Sequence, residues 1–216
     1  MLLVAVPCNT AVAGAAVEVG QTLPPISITQ GGQVIIEGTG YSVAPWSGPR
    51  NVGLVQVIQY VPGTRRGGDL YDPLTERMRR ELEVARYRIT AIVNIEVASR
   101  FAKPFVRAAV VDKQRAYSLA TLVLDEGGTG QIEWDLSQQS AFIVTDTSGK
   151  VVDAIFGEPS EIDSARIFQT LKDLLQSKNP RVSPLPRLSC FGERPRRKPR
   201  LPAPSNSDVA PKSESS

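Results

Sequence analysis

The 216-residue chain contains no histidine. That absence removes the usual general base, the usual zinc ligand and the side chain that titrates near neutral pH, so a histidine-dependent triad or metal site is excluded. Cysteine is nearly as scarce: Cys8 and Cys190 stand near opposite ends of the chain, outside its patterned middle, and the close approach that an internal disulfide requires is not expected. Aromatic residues make up 6% of the chain against 41% hydrophobic residues, which points to a mostly aliphatic core. Long apolar runs are also lacking. The candidate in residues 1–16 is broken by Pro7 and is too short for a membrane span.

What is present divides into three parts. Residues 1–16 are apolar and rich in small side chains, ending in Ala11-Val12-Ala13-Gly14-Ala15-Ala16, where Ala-x-Ala cleavage could follow Ala13 or Ala15. The pattern reads as a secretory signal, although no Lys or Arg precedes it, so the signal is atypical or its start lies upstream; a buried strand is the other reading. Cleavage would leave Cys190 as the lone cysteine, which cannot run an intramolecular dithiol cycle. Residues 17–177 carry 16 Lys/Arg against 19 Asp/Glu, whereas residues 178–216 carry 9 against 3, so the positive charge belongs to the end of the chain. That end, crowded with Pro, Ser, Arg and Lys, reads as a disordered basic tail. Its block Arg194-Pro195-Arg196-Arg197-Lys198-Pro199-Arg200 suits an anionic envelope surface, each basic residue contributing about 1 kcal/mol near an anionic membrane, or stays solvated without a partner. Export argues against nucleic acid.

The central part alternates strand and helix signals. Val17 to Ile28 reads as extended, Gly31-Gly32 as a turn, Gln33 to Glu37 as a short strand and Gly38 to Gly53 as loop, with Trp46 packing the loop down or offering a ligand platform. Leu54-Val55-Gln56-Val57-Ile58-Gln59-Tyr60 is apolar on both faces, the pattern of a covered central strand. The Pro/Gly-rich loop Val61 to Gly68 follows, then a helix with Asp72 as N-cap and Pro73 at its first position. Its apolar face is Leu74, Met78 and Leu82, opposite the pairs Glu76/Arg80, Arg77/Glu81 and Arg79/Glu83. Tyr87 to Ile95 is a second strand, parallel to the first through the helical crossover. A helix from Pro104 toward Arg115 and a strand Thr121 to Asp125 come next. Gly127-Gly128-Thr129-Gly130 lacks the Lys-Ser/Thr of a phosphate loop and reads as plain loop. Ser140 to Thr145 and Lys150 to Phe156 form a hairpin around Gly149. Ser160 and Asp163 then cap a helix whose apolar face is Ile167, Phe168, Leu171, Leu174 and Leu175.

This order is that of an α/β thioredoxin-like three-layer sandwich, a central mixed sheet flanked by helices, with an N-terminal β extension and a disordered C-terminal tail. Val19-Gly20-Gln21, Leu23-Pro24-Pro25-Ile26 and Ile28, then Val57 to Val61 with Gly63, Thr90-Ala91-Ile92-Val93-Asn94, and Ser140 to Val144 with Asp146, Gly149 and Val151 together resemble the YtfJ family of bacterial exported proteins. The resemblance covers roughly residues 18–176. It implies a periplasmic protein whose biochemical role is not established; the label of transcriptional regulator sometimes attached to the family fits export badly. It carries over no catalytic residue; no cofactor and, with histidine absent, no metal are expected. This sequence itself departs from catalytic thioredoxins twice. The loop after Tyr60 has no Cys-x-x-Cys pair, and Gln139-Ser140 stand where thioredoxins place a cis-proline.

Three readings of function follow. The first is a redox-inactive module that binds a periplasmic protein or peptide in a groove between Tyr60, Thr64, Arg65 and Arg66 on one side and Gln139 and Ser140 on the other, where Arg65 and Arg66 either hold an anion or are solvated loop charges. The second is a thiol oxidoreductase or peroxidase using Cys190. The third, DNA binding through the tail, requires an uncleaved N-terminus.

Overall fold

In the computed structural model, residues 16–49, 53–136 and 140–177 are described. The expected signal except its last residue, Ala16, the tail, Gln139 and both cysteines lie outside them. The elements in chain order are β1 (Ile26–Glu37), β2 (Gly40–Gly48), β3 (Val55–Pro62), α1 (Arg65–Asp69), α2 (Asp72–Glu81), β4 (Tyr87–Asn94), α3 (Lys103–Ala116), β5 (Ala120–Asp125), α4 (Thr129–Glu133), β6 (Ala141–Thr145), β7 (Val151–Phe156) and α5 (Glu161–Ser177).

The strands form one sheet in the order β2-β1-β5-β4-β3-β6-β7. β3, β4 and β5 run parallel, as the intervening helices require. β6 is antiparallel to β3 and to β7, and β1 is antiparallel to β5 and β2. Alternation along β3 sends Val55, Val57 and Val61 to one face and Ile58 and Tyr60 to the other, which is why seven of its eight residues are buried. On the first face Leu74 and Met78 of α2, Val110 and Val111 of α3, and Ile167, Phe168 and Leu171 of α5 complete an aliphatic core. On the second, Ile58, Tyr60, Ile92 and Val123 are covered by Trp134, Leu136, Val17 and Leu23.

Residues 17–24 are fixed by the hairpin. Gly20 and Leu23 donate their amides to the carbonyls of Val151 and Gly149, and Val151 donates to Gln21, with a further bridge between Thr22 and Lys150. Gly149 has φ of 85°, the left-handed value that this turn requires. The capping of α5 is as expected. The Asp163 amide donates to Ser160 Oγ at 3.1 Å while the Ser160 hydroxyl donates to Asp163 Oδ2 at 2.6 Å.

Four local expectations are corrected. Gly31-Gly32 is no turn; β1 runs through it with a register shift between Ile28 and Gln33. Both glycines have positive φ, and a Cβ on either would meet a backbone oxygen, Leu124 O at 2.1 Å or Ala44 O at 2.0 Å. The strand therefore squeezes between two neighbours where only glycine fits. Second, Gly38 to Gly53 contains β2, an outermost strand whose half-exposed side chains and Pro45 blur the sequence pattern; Trp46 packs against the second core. Third, Tyr71 is the N-cap of α2, without a side-chain bond, and Asp72 is its first residue; the Asp72 carboxylate is taken by Lys113 at 2.6 Å. Fourth, Gly127-Gly128-Thr129-Gly130 leads into α4, with Gly128 left-handed at φ 65°.

Candidate functional site

The parallel strands end together at one edge of the sheet, where open α/β sheets place their chemistry. At the end of β3 the chain turns through Pro62 and Gly63 into α1. Thr64 caps it, its Oγ1 accepting from the Gly67 amide at 3.0 Å. Gly67 is buried against the strand, and a Cβ there would lie 2.2 Å from Pro62 O and 2.7 Å from its ring, whereas Gly68 has nothing within 4 Å. Gly67→Ala is therefore expected to destabilise the protein by about 1–3 kcal/mol through overpacking. Gly68→Ala should leave stability unchanged or raise it by up to about 1 kcal/mol through helix propensity. Urea unfolding of the pair measures the difference.

Arg65 and Arg66 both face solvent. Arg66 Nη2 pairs with Glu158 Oε2 at 2.6 Å, tying α1 to the turn before α5, and with side chains 78% and 65% exposed the pair adds little stability. Tyr71 links this junction to Ser140. Its hydroxyl donates to Gly157 O at 2.8 Å, the Gly157 amide donates to Ser140 O at 3.0 Å, and the ring meets Phe142 edge-on at 5.3 Å. Burial pushes the Tyr71 phenol up to about 12, opposed by a hydrogen bond with Ser140.

Of the expected groove residues, then, Thr64, Arg65 and Arg66 sit together, Ser140 lies buried and joined to them through Tyr71, and Gln139 falls outside the described residues. Tyr60 does not belong with them. It is fully buried on the opposite face, edge-on to Trp134 at 6.3 Å, and its hydroxyl donates to Asp125 Oδ2 at 2.9 Å. Burial first, and then the Asp125 charge, push the Tyr60 phenol far up.

Asp125 was not legible as a site residue, although an acid ahead of a Gly-Gly-Thr-Gly run is a helix-start signal. Fully buried, it accepts from the Thr129 amide at 2.9 Å and the Gly130 amide at 2.8 Å as well as from Tyr60. The amides that a phosphate would need are thus already occupied by a carboxylate. Trp134 was missed too; its Nε1 donates to Pro24 O at 2.8 Å, stitching α4 to the N-terminal extension.

Beside the junction a cleft of about 1150 Å³ opens between α2 and α3 over β4. It extends from Thr64 and Arg65 at the chemistry edge to Val84 and Tyr87 at the other end of the parallel strands. Two polar straps join its walls. Lys113 Nζ donates to Asp72 at 2.6 Å and to Gly68 O at 3.0 Å, and Tyr117 donates to Glu76 at 3.3 Å beneath the Arg79 guanidinium. The cleft has no local signature in the sequence, since its floor residues Ile89 and Ala91 belong to an ordinary strand.

Residues 17–177 match the profile of the family described as "Bacterial protein of unknown function (YtfJ_HI0045)". The chain is 29% identical to the "Uncharacterized protein YtfJ" of Escherichia coli K12 over 161 residues, 74% of this chain and 88% of that one. It is 23% identical over 156 residues to an uncharacterized protein of Haemophilus influenzae, covering 71% and 85% of the two chains. Among solved structures, a thioredoxin-like superfamily protein superposes with a TM-score of 0.51 at 17% identity, covering 72% of this chain and 96% of that one. That likeness and the strand order agree on a thioredoxin-like fold.

Proposed function

This chain belongs to the YtfJ_HI0045 family of bacterial proteins of unknown function, and on that premise we propose that it is a periplasmic thioredoxin-like module that works by binding and carries out no thiol–disulfide chemistry. The observation that supports this reading is the residue content of the β3–α1 junction. Thr64-Arg65-Arg66-Gly67 stands where a redox member of the fold would present sulfur, and each residue there has a structural occupation or faces solvent. Thr64 caps, Arg66 pairs with Glu158, and Gly67 packs on Pro62. Disulfide exchange needs a thiolate with an orienting neighbour, and among the described residues there is no cysteine. With Arg66 engaged, anion holding at the junction is no part of the proposal. The periplasmic assignment draws on the apolar, small-residue N-terminus.

Insulin-reduction and peroxide-consumption assays on the full chain and on Cys190→Ser test the proposal. Both proteins are expected to stay at background, and activity abolished by Cys190→Ser would sink it. N-terminal sequencing of the periplasmic fraction should find the chain beginning at Gly14 or Ala16.

A further inference from the structure

β4 is the central strand of the seven-stranded sheet, between β3 and β5, and a strand so placed is ordinarily covered along its whole length. Here it is not. Tyr87 and Val93 at the two ends of its first-face row are buried, but Ile89 and Ala91 between them are only half-buried, because α2 and α3 stand apart above them. The floor of the cleft is therefore an uncovered apolar strip, and from Tyr87 to Val93 it measures about 20 Å at the rise of a strand. The α3 wall is built from Ala102, Val106 and Ala109, small side chains that leave the space open. At the rim Phe105 and Leu119 stand 78% and 70% exposed.

A polar group marks one end. Tyr87 is 1% exposed and lines the cleft, yet its hydroxyl is buried with no hydrogen-bond partner. Buried donors are almost always paired, so an unpaired one on a cavity wall is a place for a ligand acceptor. Arg79 and Arg80 line the same end. Arg79 is shared with Glu76 at 3.0 Å, while Arg80 makes no ion pair among the described residues. The acids of the α2 wall are engaged by the straps, Asp72 with Lys113 and Glu76 with Tyr117 and Arg79.

We propose that this cleft binds one linear long-chain carboxylate, its chain laid along Ile89 and Ala91 and its head against the Tyr87 hydroxyl and Arg80. A single hydroxyl donor beside an unpaired guanidinium complements one small anionic acceptor, and a long, narrow strip of small aliphatic side chains complements an unbranched chain. The proposal rests on the reading of the chain as a binding module and names the ligand class. The thiol assays and the test below read different properties, so either can fail alone.

The test is calorimetric titration of the delipidated full chain with hexadecanoate and, in parallel, with hexadecan-1-ol. One saturable hexadecanoate site is expected. Ala109→Trp, on an exposed helix position that leaves the core alone, should weaken both ligands at least about tenfold by filling the cleft, with an unchanged circular dichroism spectrum. Tyr87→Phe should weaken hexadecanoate about tenfold, the scale of a hydrogen bond to a charged group, and leave hexadecan-1-ol much less affected. A flat hexadecanoate titration, hexadecanoate binding that Ala109→Trp leaves intact, or a Tyr87→Phe loss equal for the two ligands overturns the proposal.

Discussion

Asp125→Ala is expected to lower the unfolding free energy by about 3–5 kcal/mol, a large share of what a domain of this size has. The carboxylate is fully buried and accepts three hydrogen bonds, from the Tyr60 hydroxyl and the amides of Thr129 and Gly130. Truncation leaves three donors stranded away from water, each at a cost of about 1–3 kcal/mol before relaxation. Tyr60→Phe removes one donor and leaves the carboxylate its two amides, so it should cost only about 1–2 kcal/mol. Denaturant unfolding of both variants and of the double mutant measures the coupling. Asp125→Ala within 1 kcal/mol of the parent, on the scale of an ordinary surface change, would show that the carboxylate does not hold α4 to the central strand.

Alkaline pH is the second large lever. Tyr60, Tyr71 and Tyr87 all have phenols raised above the ordinary value of 10.0, chiefly by burial. In the unfolded chain they lose their protons near that ordinary value; in the folded chain they hold them longer. The stabilisation from keeping them neutral is therefore intact below about pH 10 and is lost as pH rises through the folded values. For Tyr71, at about 12, the loss by that pH is on the order of 2 kcal/mol, and Tyr60 adds to it. The urea midpoint should thus fall steeply above about pH 10, and Tyr71→Phe should flatten the fall. A midpoint that is level across the tyrosine range would contradict the burial of these phenols.

The sequence made the periodic parts of this fold legible. β3 and β4 are β-branched runs, the β6–β7 hairpin announces itself through Asp146 to Gly149, and α5 repeats its apolar residues at helical spacing behind a reciprocal cap. Elements held by tertiary contact were harder to read. β2 carries Pro45 and flanking glycines because an outermost strand needs ladder bonds on one side only, and composition alone reads that as loop. Gly31 and Gly32 look like a turn and are a point of close backbone approach. The candidate groove placed Tyr60 beside Arg65 by chain proximity, whereas alternation sends its ring through the sheet to Trp134. The cleft had no local signature at all, since Ile89 and Ala91 are ordinary strand residues and only the spacing of α2 and α3 uncovers them.

The pairing of residues 17–24 with the β6–β7 turn also orders events in time. The earliest-made stretch of the described chain has its hydrogen-bond partners at Gly149 and Val151, more than a hundred residues downstream. It must wait, unpaired, until nearly the whole sheet is present to receive it. Closure of such a long loop is a slow, non-local event, so Val17 and Leu23 seal the second core only after the strands beneath them have assembled.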